Sequence, residues 1–175
     1  EGFWNDRPYP NLREYLDLVA LGTIGDIVPL VDENRILTKI GLDLLNENHR
    51  VGIRALRELA GLGSSVIDSG AASFSLIPRI NAAGRIGSPD DAVRLLLSQD
   101  AAEASEMADR LESYNRERQR LEKAIFDDIF DRLESDRHLR DKGALVLSST
   151  DWHPGVIGIV ASRVVDRCYK PTILI

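Results

Sequence analysis

Cysteine is nearly absent. Cys168 stands alone, so no internal disulfide can form, and this usage fits a reducing, cytoplasmic setting. One cysteine with three scattered histidines also argues against a structural zinc site. No apolar run approaches the ~20 residues that a membrane span needs, so no membrane partner is expected. The acidic opening EGFWNDRP lacks the basic and apolar regions of a signal peptide. Positive charge is in deficit, with 22 Lys and Arg against 28 Asp and Glu and a net charge of −6. That balance argues against a general polyanion-binding surface but leaves room for a small basic pocket. No GxSxG elbow, HExxH, Rossmann GxGxxG or P-loop pattern occurs. GLGSS at 61–65 follows a helical pattern and not a strand, and DxD or paired-histidine motifs are missing as well.

What is present is an ordinary globular composition, 43% hydrophobic and 29% charged, able to bury a core in one good-sized domain or two small ones. The chain has no initiator Met, and it stops at KPTILI, within what reads as a buried strand. The expectation is a piece of a longer protein.

The first third reads as helices with short breaks. Asn11 can cap a helix whose apolar face is Leu12, Tyr15, Leu16 and Val19. Gly22, Gly25 and Pro29 then interrupt the periodicity, which puts Asp26 at a helix-to-loop transition. Asp32 and Asn34 open a second amphipathic helix through Ile36, Leu37, Ile40, Leu44 and Leu45. A short third helix spans 51–59. Residues 69–87, SGAASFSLIPRINAAGRIG, are rich in small side chains and read as a turn broken at Pro78. Ser88-Pro89-Asp90-Asp91 is a strong helix start. From Ala101 to about Leu133 apolar residues recur every three or four positions, predicting one helix of roughly 50 Å, suited to connecting domains. After it, ALVLSS, VIGIVASRVVDRC and PTILI read as strand, helix, strand, the opening of a parallel βαβ unit.

Three stretches can carry chemistry. Asp26 is a carboxylate in the apolar run LVALGTIGDIVPLVD: either a turn or C-cap residue, or a hard-cation ligand offered from a tight turn. In IPRINAAGRIG, Arg79 and Arg85 flank Asn81, and guanidinium forks among small residues suit phosphate oxygens; the alternative is surface arginines that cap neighbouring helices. In STDWHPGVIGIVASR, the loop 151–155 lies between a strand end and a helix N-terminus. There the amides of 155–158 and the His153 ring can meet an anion, unless Trp152 and His153 simply cover a sheet edge.

LDLVALGTIGDIVPL (16–30), PRINAAGRIG (78–87) and DWHPGVIGIVASRVVDR (151–167) stand in the order and at the separations seen in RecJ. The chain resembles this family of single-strand-specific 5′→3′ DNA exonucleases, within the DHH phosphoesterase superfamily, over essentially its whole length. YNRERQRLEKAI resembles the family's interdomain helix. The resemblance implies an α/β fold. Residues 1–100 would be the mostly helical C-terminal part of a DHH domain, 101–138 a connector helix, and 139–175 the opening βαβ of a truncated DHHA1 domain. It implies two Mn²⁺ or Mg²⁺ ions in the full-length enzyme, with Asp26 as one metal ligand and the remaining ligands upstream of this chain. Arg79, Asn81, Arg85, His153, Gly155 and Arg163 fall in blocks linked to holding nucleic-acid phosphates. Gly25 stands where the family more often has Ala. The implied activity is phosphodiester hydrolysis on single-stranded DNA in repair and recombination, with a single-strand-binding protein or a helicase as further partners. This piece alone is expected to be inactive. Other readings are a DHH small-substrate phosphoesterase, of the oligoribonuclease or cyclic-dinucleotide type, and a catalytically dead DHH scaffold.

Overall fold

The computed structural model describes residues 9–175. By packing, the chain divides into two compact units, one comprising residues up to Pro78 with Val93–Asp109, the other Arg79–Ala92 with Arg110–Ile175. The fold is mostly helical with one small parallel sheet. Among the described residues no helix is long and apolar enough to cross a membrane.

In the first unit, the Asn11 side chain accepts from the Arg13 amide and starts a short 3₁₀ turn, Leu12–Tyr15, that leads into α1, Leu16–Gly25. The apolar face expected there is not the buried one. Leu12 is 68% exposed and Tyr15 48%, whereas Asp17, Ala20 and Leu21 are buried. α1 is apolar nearly all round, so hydrophobic periodicity cannot choose its inner face. Two specific contacts choose it instead. Asp17 pairs with Arg50 through Nε, at 2.7 Å, and Nη2, at 3.1 Å, while its own Oδ1 also accepts from the Leu18 amide. Gly41 of α2, Asp32–Glu47, lies so close that a Cβ there would sit 2.0 Å from the Leu16 carbonyl oxygen and 2.6 Å from Ala20 Cβ. Only hydrogen fits that seam.

α3, Val51–Leu59, makes a similar contact through Gly52, where a Cβ would lie 1.8 Å from the Leu95 carbonyl oxygen. The loop after α3 is tied by buried Arg57, which donates to the carbonyls of Gly63, at 2.7 Å, and Ser65, at 2.5 Å. Asn46 holds the next stretch by accepting from the Ile67 amide and donating to its carbonyl. Leu45, Ile53, Leu56, Ile67, Leu76, Leu95 and Met107 fill the core.

Residues 69–87 depart from the expected broken turn. A short α4, Ser69–Ala71, runs through a π-helical turn, Ala72–Leu76, directly into α5, Ile77–Ile86. The Ile77 amide bonds to the Ala72 carbonyl, one residue further back than in an α-helix. A proline strikes the carbonyl four residues before it and offers no N–H. A widened turn just ahead of Pro78 relieves both problems, so the helix continues where a break reads from sequence. α6, Pro89–Leu97, starts as its Ser-Pro-Asp-Asp opening predicts, with Ser88 Oγ accepting from the Asp90 amide.

The long helix α7, Ala101–Ser135, has 35 residues. In the second unit it is followed by α8, Arg137–Asp141, then β1, Leu145–Leu147, α9, Pro154–Cys168, and β2, Thr172–Leu174. β1 and β2 pair in parallel, with Leu145 opposite Thr172 and Leu147 opposite Leu174. Ile125, Ile129 and Leu133 of α7, Leu145, Leu147, Trp152 and Val156, Val160 and Val164 of α9 form its core.

Gly41→Ala tests the α1–α2 seam. Alanine gains about 1 kcal/mol of helix propensity, but its methyl meets backbone that cannot yield. A net loss of about 1–3 kcal/mol in urea unfolding is expected.

Candidate functional site

Asp26 is the C-cap of α1. The Val28 amide returns to the Thr23 carbonyl and the Ile27 amide to that of Ile24, both at 3.1 Å, the paired bonds of a Schellman motif. The left-handed residue of such a motif is usually glycine. Here it is Ile27, at φ 55° and 89% exposed. A β-branched side chain in that conformation is strained by about 1–2 kcal/mol. The Asp26 side chain is exposed and has no hydrogen bond or ion pair among the described residues. It also sits at the negative end of the α1 dipole, where a carboxylate is disfavoured and a cation favoured.

Two features thus work against stability at one short turn: a strained Ile27 and a carboxylate at the negative end of the α1 dipole. Such concentrations mark functional positions. As chemistry, Asp26 offers a hard oxygen donor suited to Mn²⁺ or Mg²⁺. Among the described residues no group of three or more Asp, Glu, His or Cys is placed to hold an ion. Asp26 can supply one oxygen donor, and the described residues do not complete a cation site around it.

In the second unit, the structure brings part of the PRINAAGRIG and DWHPG blocks together. Gly155, in the first turn of α9, packs against the end of α5: a Cβ on it would lie 2.3 Å from the Arg85 carbonyl oxygen. The Arg85 guanidinium in turn donates to the Gly155 carbonyl at 3.3 Å. Asn81 lies one helical turn before Arg85 on the same face of α5, exposed, with no partner among the described residues. His153 caps α9, its Nδ1 accepting from the Gly155 amide at 3.0 Å. With Nδ1 used as an acceptor, the neutral ring carries its proton on Nε2, which faces away from the cap.

Three expectations are corrected here. The Gly155 amide is not open for an anion, because the His153 ring already takes it, and the amides of Val156 and Ile157 return to the His153 carbonyl. Gly155 instead permits a backbone-to-backbone approach. Arg79 is not presented at a turn: it lies on α5 with Nε 2.7 Å from Glu112 Oε2, both side chains largely covered. Arg163 extends to α7, donating to Glu122 Oε1 at 2.5 Å with its Cζ 5.1 Å from the centroid of the Phe126 ring. These two arginines first of all hold helices. Asn81, Arg85 and His153 keep side chains available to a ligand.

Several residues that support this group were not singled out in the sequence. Asp128 accepts from Trp152 Nε1 at 2.9 Å and from the Arg132 guanidinium at 2.8 and 3.0 Å. Arg132 also donates to the Ser148 carbonyl at 3.0 Å and stacks over the Trp152 ring. Beneath Gly87, the Tyr114 ring fills the space that a Cβ would need, and its hydroxyl donates to buried Asp91 at 2.9 Å. That bond to a carboxylate raises the Tyr114 pKa above its ordinary value. Glu117 is held below the usual carboxylate range, first by its hydrogen bond from Arg120 and then by the charge of that guanidinium. The signal for Asp128 was its i, i+4 spacing to Arg132; nothing in the sequence pointed to Trp152 as their joint partner.

No protein-family model matches the chain. Among known proteins it is 42% identical over 162 residues to the single-stranded-DNA-specific exonuclease RecJ of Bacillus subtilis, covering 93% of this chain and 20% of that protein. It superposes on RecJ from Thermus thermophilus solved with Mn²⁺ at a TM-score of 0.83 and 40% identity, covering 95% of this chain and 24% of that one. The same protein solved with Mg²⁺ gives a TM-score of 0.80 at 39% identity, covering 95% of this chain and 26% of that one. The chain thus spans between a fifth and about a quarter of these relatives' length.

Ile27→Gly separates strain from packing at the Asp26 turn. Removing a left-handed β-branched residue that buries almost nothing should stabilise residues 1–175 by about 1 kcal/mol, read as a higher thermal midpoint.

Proposed function

Because the chain belongs to the RecJ family along nearly its whole length, we propose that it is part of a cytoplasmic, single-stranded-DNA-specific 5′→3′ exonuclease that uses Mn²⁺ or Mg²⁺. In this reading residues 1–100 complete a DHH domain, 101–138 connect, and 139–175 open a DHHA1 domain. The bound ions supply a polarised water and neutralise charge on the scissile phosphate. Asp26 contributes one oxygen donor to that site. The observation that carries the reading is the Asp26 turn, where an unpaired carboxylate is kept at a helix C-terminus beside a strained Ile27.

Asn81 and Arg85 donate to phosphate oxygens of the strand, and His153 donates through Nε2–H. Charge-assisted donors of this kind hold the backbone without reading bases, which suits an exonuclease indifferent to sequence. Gly155 serves by letting α9 reach α5, and Arg79 and Arg163 by fixing the helices that carry the donors. The same reading places the enzyme in DNA repair and recombination, where a single-strand-binding protein or a helicase would present the strand. In this reading residues 1–175 alone are inactive, since among the described residues no group of three or more ligands is placed to hold an ion.

The full-length parent carrying Asp26→Asn tests the metal role. Nucleotide release from single-stranded DNA should fall about 100-fold, while binding in EDTA is unchanged; full activity overturns it. Arg85→Ala in the same parent should weaken binding in EDTA and lower the slope of log affinity against log salt by about 1. An unchanged slope removes Arg85 from the phosphate contacts.

A further inference from the structure

We propose that Asp128 is a positioning residue for the DNA-holding group, acting through Trp152 to set His153. This rests on the reading of His153 as a DNA donor. The loop from β1 to α9 is short, and two α7 side chains one turn apart grip both of its ends. Arg132 donates to the Ser148 carbonyl where β1 ends. Asp128 accepts from the indole of Trp152, the residue just before His153. Trp152 is only 8% exposed and lies in the core with Ile125, Ile129 and Val156, so its ring has little room to re-seat.

Holding the indole fixes the backbone at residue 152 and, with it, the start of the peptide that leads into the cap. His153 adopts φ −73° and ψ 124° there, the extended geometry that lets Nδ1 accept from the Gly155 amide. That bond decides the tautomer, and the tautomer decides that the outward nitrogen is a donor. The chain of contacts continues through Gly155 to Arg85, whose guanidinium donates to the Gly155 carbonyl. Asp128 itself touches none of the candidate ligand-holding side chains. Its carboxylate is the shared acceptor that keeps Trp152 and Arg132 in register, as outer partners orient ligating groups elsewhere.

The test is a double-mutant cycle in the full-length parent, with binding of a 5′-phosphorylated, 3′-fluorescein-labelled oligothymidylate measured in EDTA. Asp128→Ala should weaken binding about tenfold, and His153→Ala by a similar factor. The double variant should be no weaker than His153→Ala alone, because Asp128 acts through that ring. Asp128→Asn keeps an acceptor for the indole and should restore most of the affinity. Trp152→Phe keeps an aromatic side chain but removes the donor and part of the buried indole; it should reproduce the affinity loss of Asp128→Ala alongside a lowered thermal midpoint, and its affinity decides the matter if Asp128→Ala does not fold.

Additive losses in the cycle, or a lowered thermal midpoint with unchanged affinity in Asp128→Ala and Trp152→Phe, overturn the positioning role. Unchanged affinity in His153→Ala overturns the DNA contact of His153 itself, and the positioning role falls with it. Loss in His153→Ala without coupling overturns the positioning role alone.

Discussion

The second unit is organised by carboxylates spaced along α7. Glu112 meets Arg79 of α5, Glu122 meets Arg163 of α9, and Asp128 meets Trp152 of the connecting loop. Each pair joins the long helix to a different element, and the first two are well shielded on the acidic side, with side-chain exposures of 15% and 11%. A partly desolvated charge is costly to leave without its partner, so such pairs resist rearrangement more than surface bridges do. Apolar packing of Ile125, Ile129 and Leu133 gives the unit its core. The three carboxylates say where each element must stop.

The first unit shows the opposite economy of contact. Its seams are made by glycines: Gly41 against the Leu16 carbonyl and Gly52 against the Leu95 carbonyl. Backbone against backbone leaves no side chain to adjust, so α1 is delivered to a defined place on α2. At the far end of that rigid delivery stands Asp26, exposed and unpaired on a turn whose geometry glycine would suit better than Ile27. A chain optimised only for stability has no use for this arrangement. Under the proposed function the same turn presents an oxygen to a cation.

Much of this was legible in the sequence, for reasons that differ by element. α2, α3, α6, α7 and the parallel βαβ unit announce themselves through periodicity and caps, and they form where those signals stand. The three blocks that resemble RecJ point to the same relatives that the chain matches along nearly its whole length. What could not be read is the business of residues distant in sequence. Arg79 and Arg163 look like phosphate forks because their partners, Glu112 and Glu122, lie 33 and 41 positions away on a helix whose charges read as solvated. Pro78 reads as a break because nothing local signals the π-helical turn that absorbs it. The inner face of α1 depends on Asp17 finding Arg50, a contact that no hydrophobic pattern encodes. Asp26 was visible as an anomaly from the start, and the structure adds the reasons it is one.

Trp152 has a consequence of a different kind. It is one of two tryptophans in the chain, and its indole is at once hydrogen-bonded to a carboxylate, covered by a guanidinium and shut away from water. Indole emission responds to all three surroundings. The molecule therefore carries its own optical gauge in the loop between β1 and α9, in which undocking of that loop would register as a change of colour and intensity.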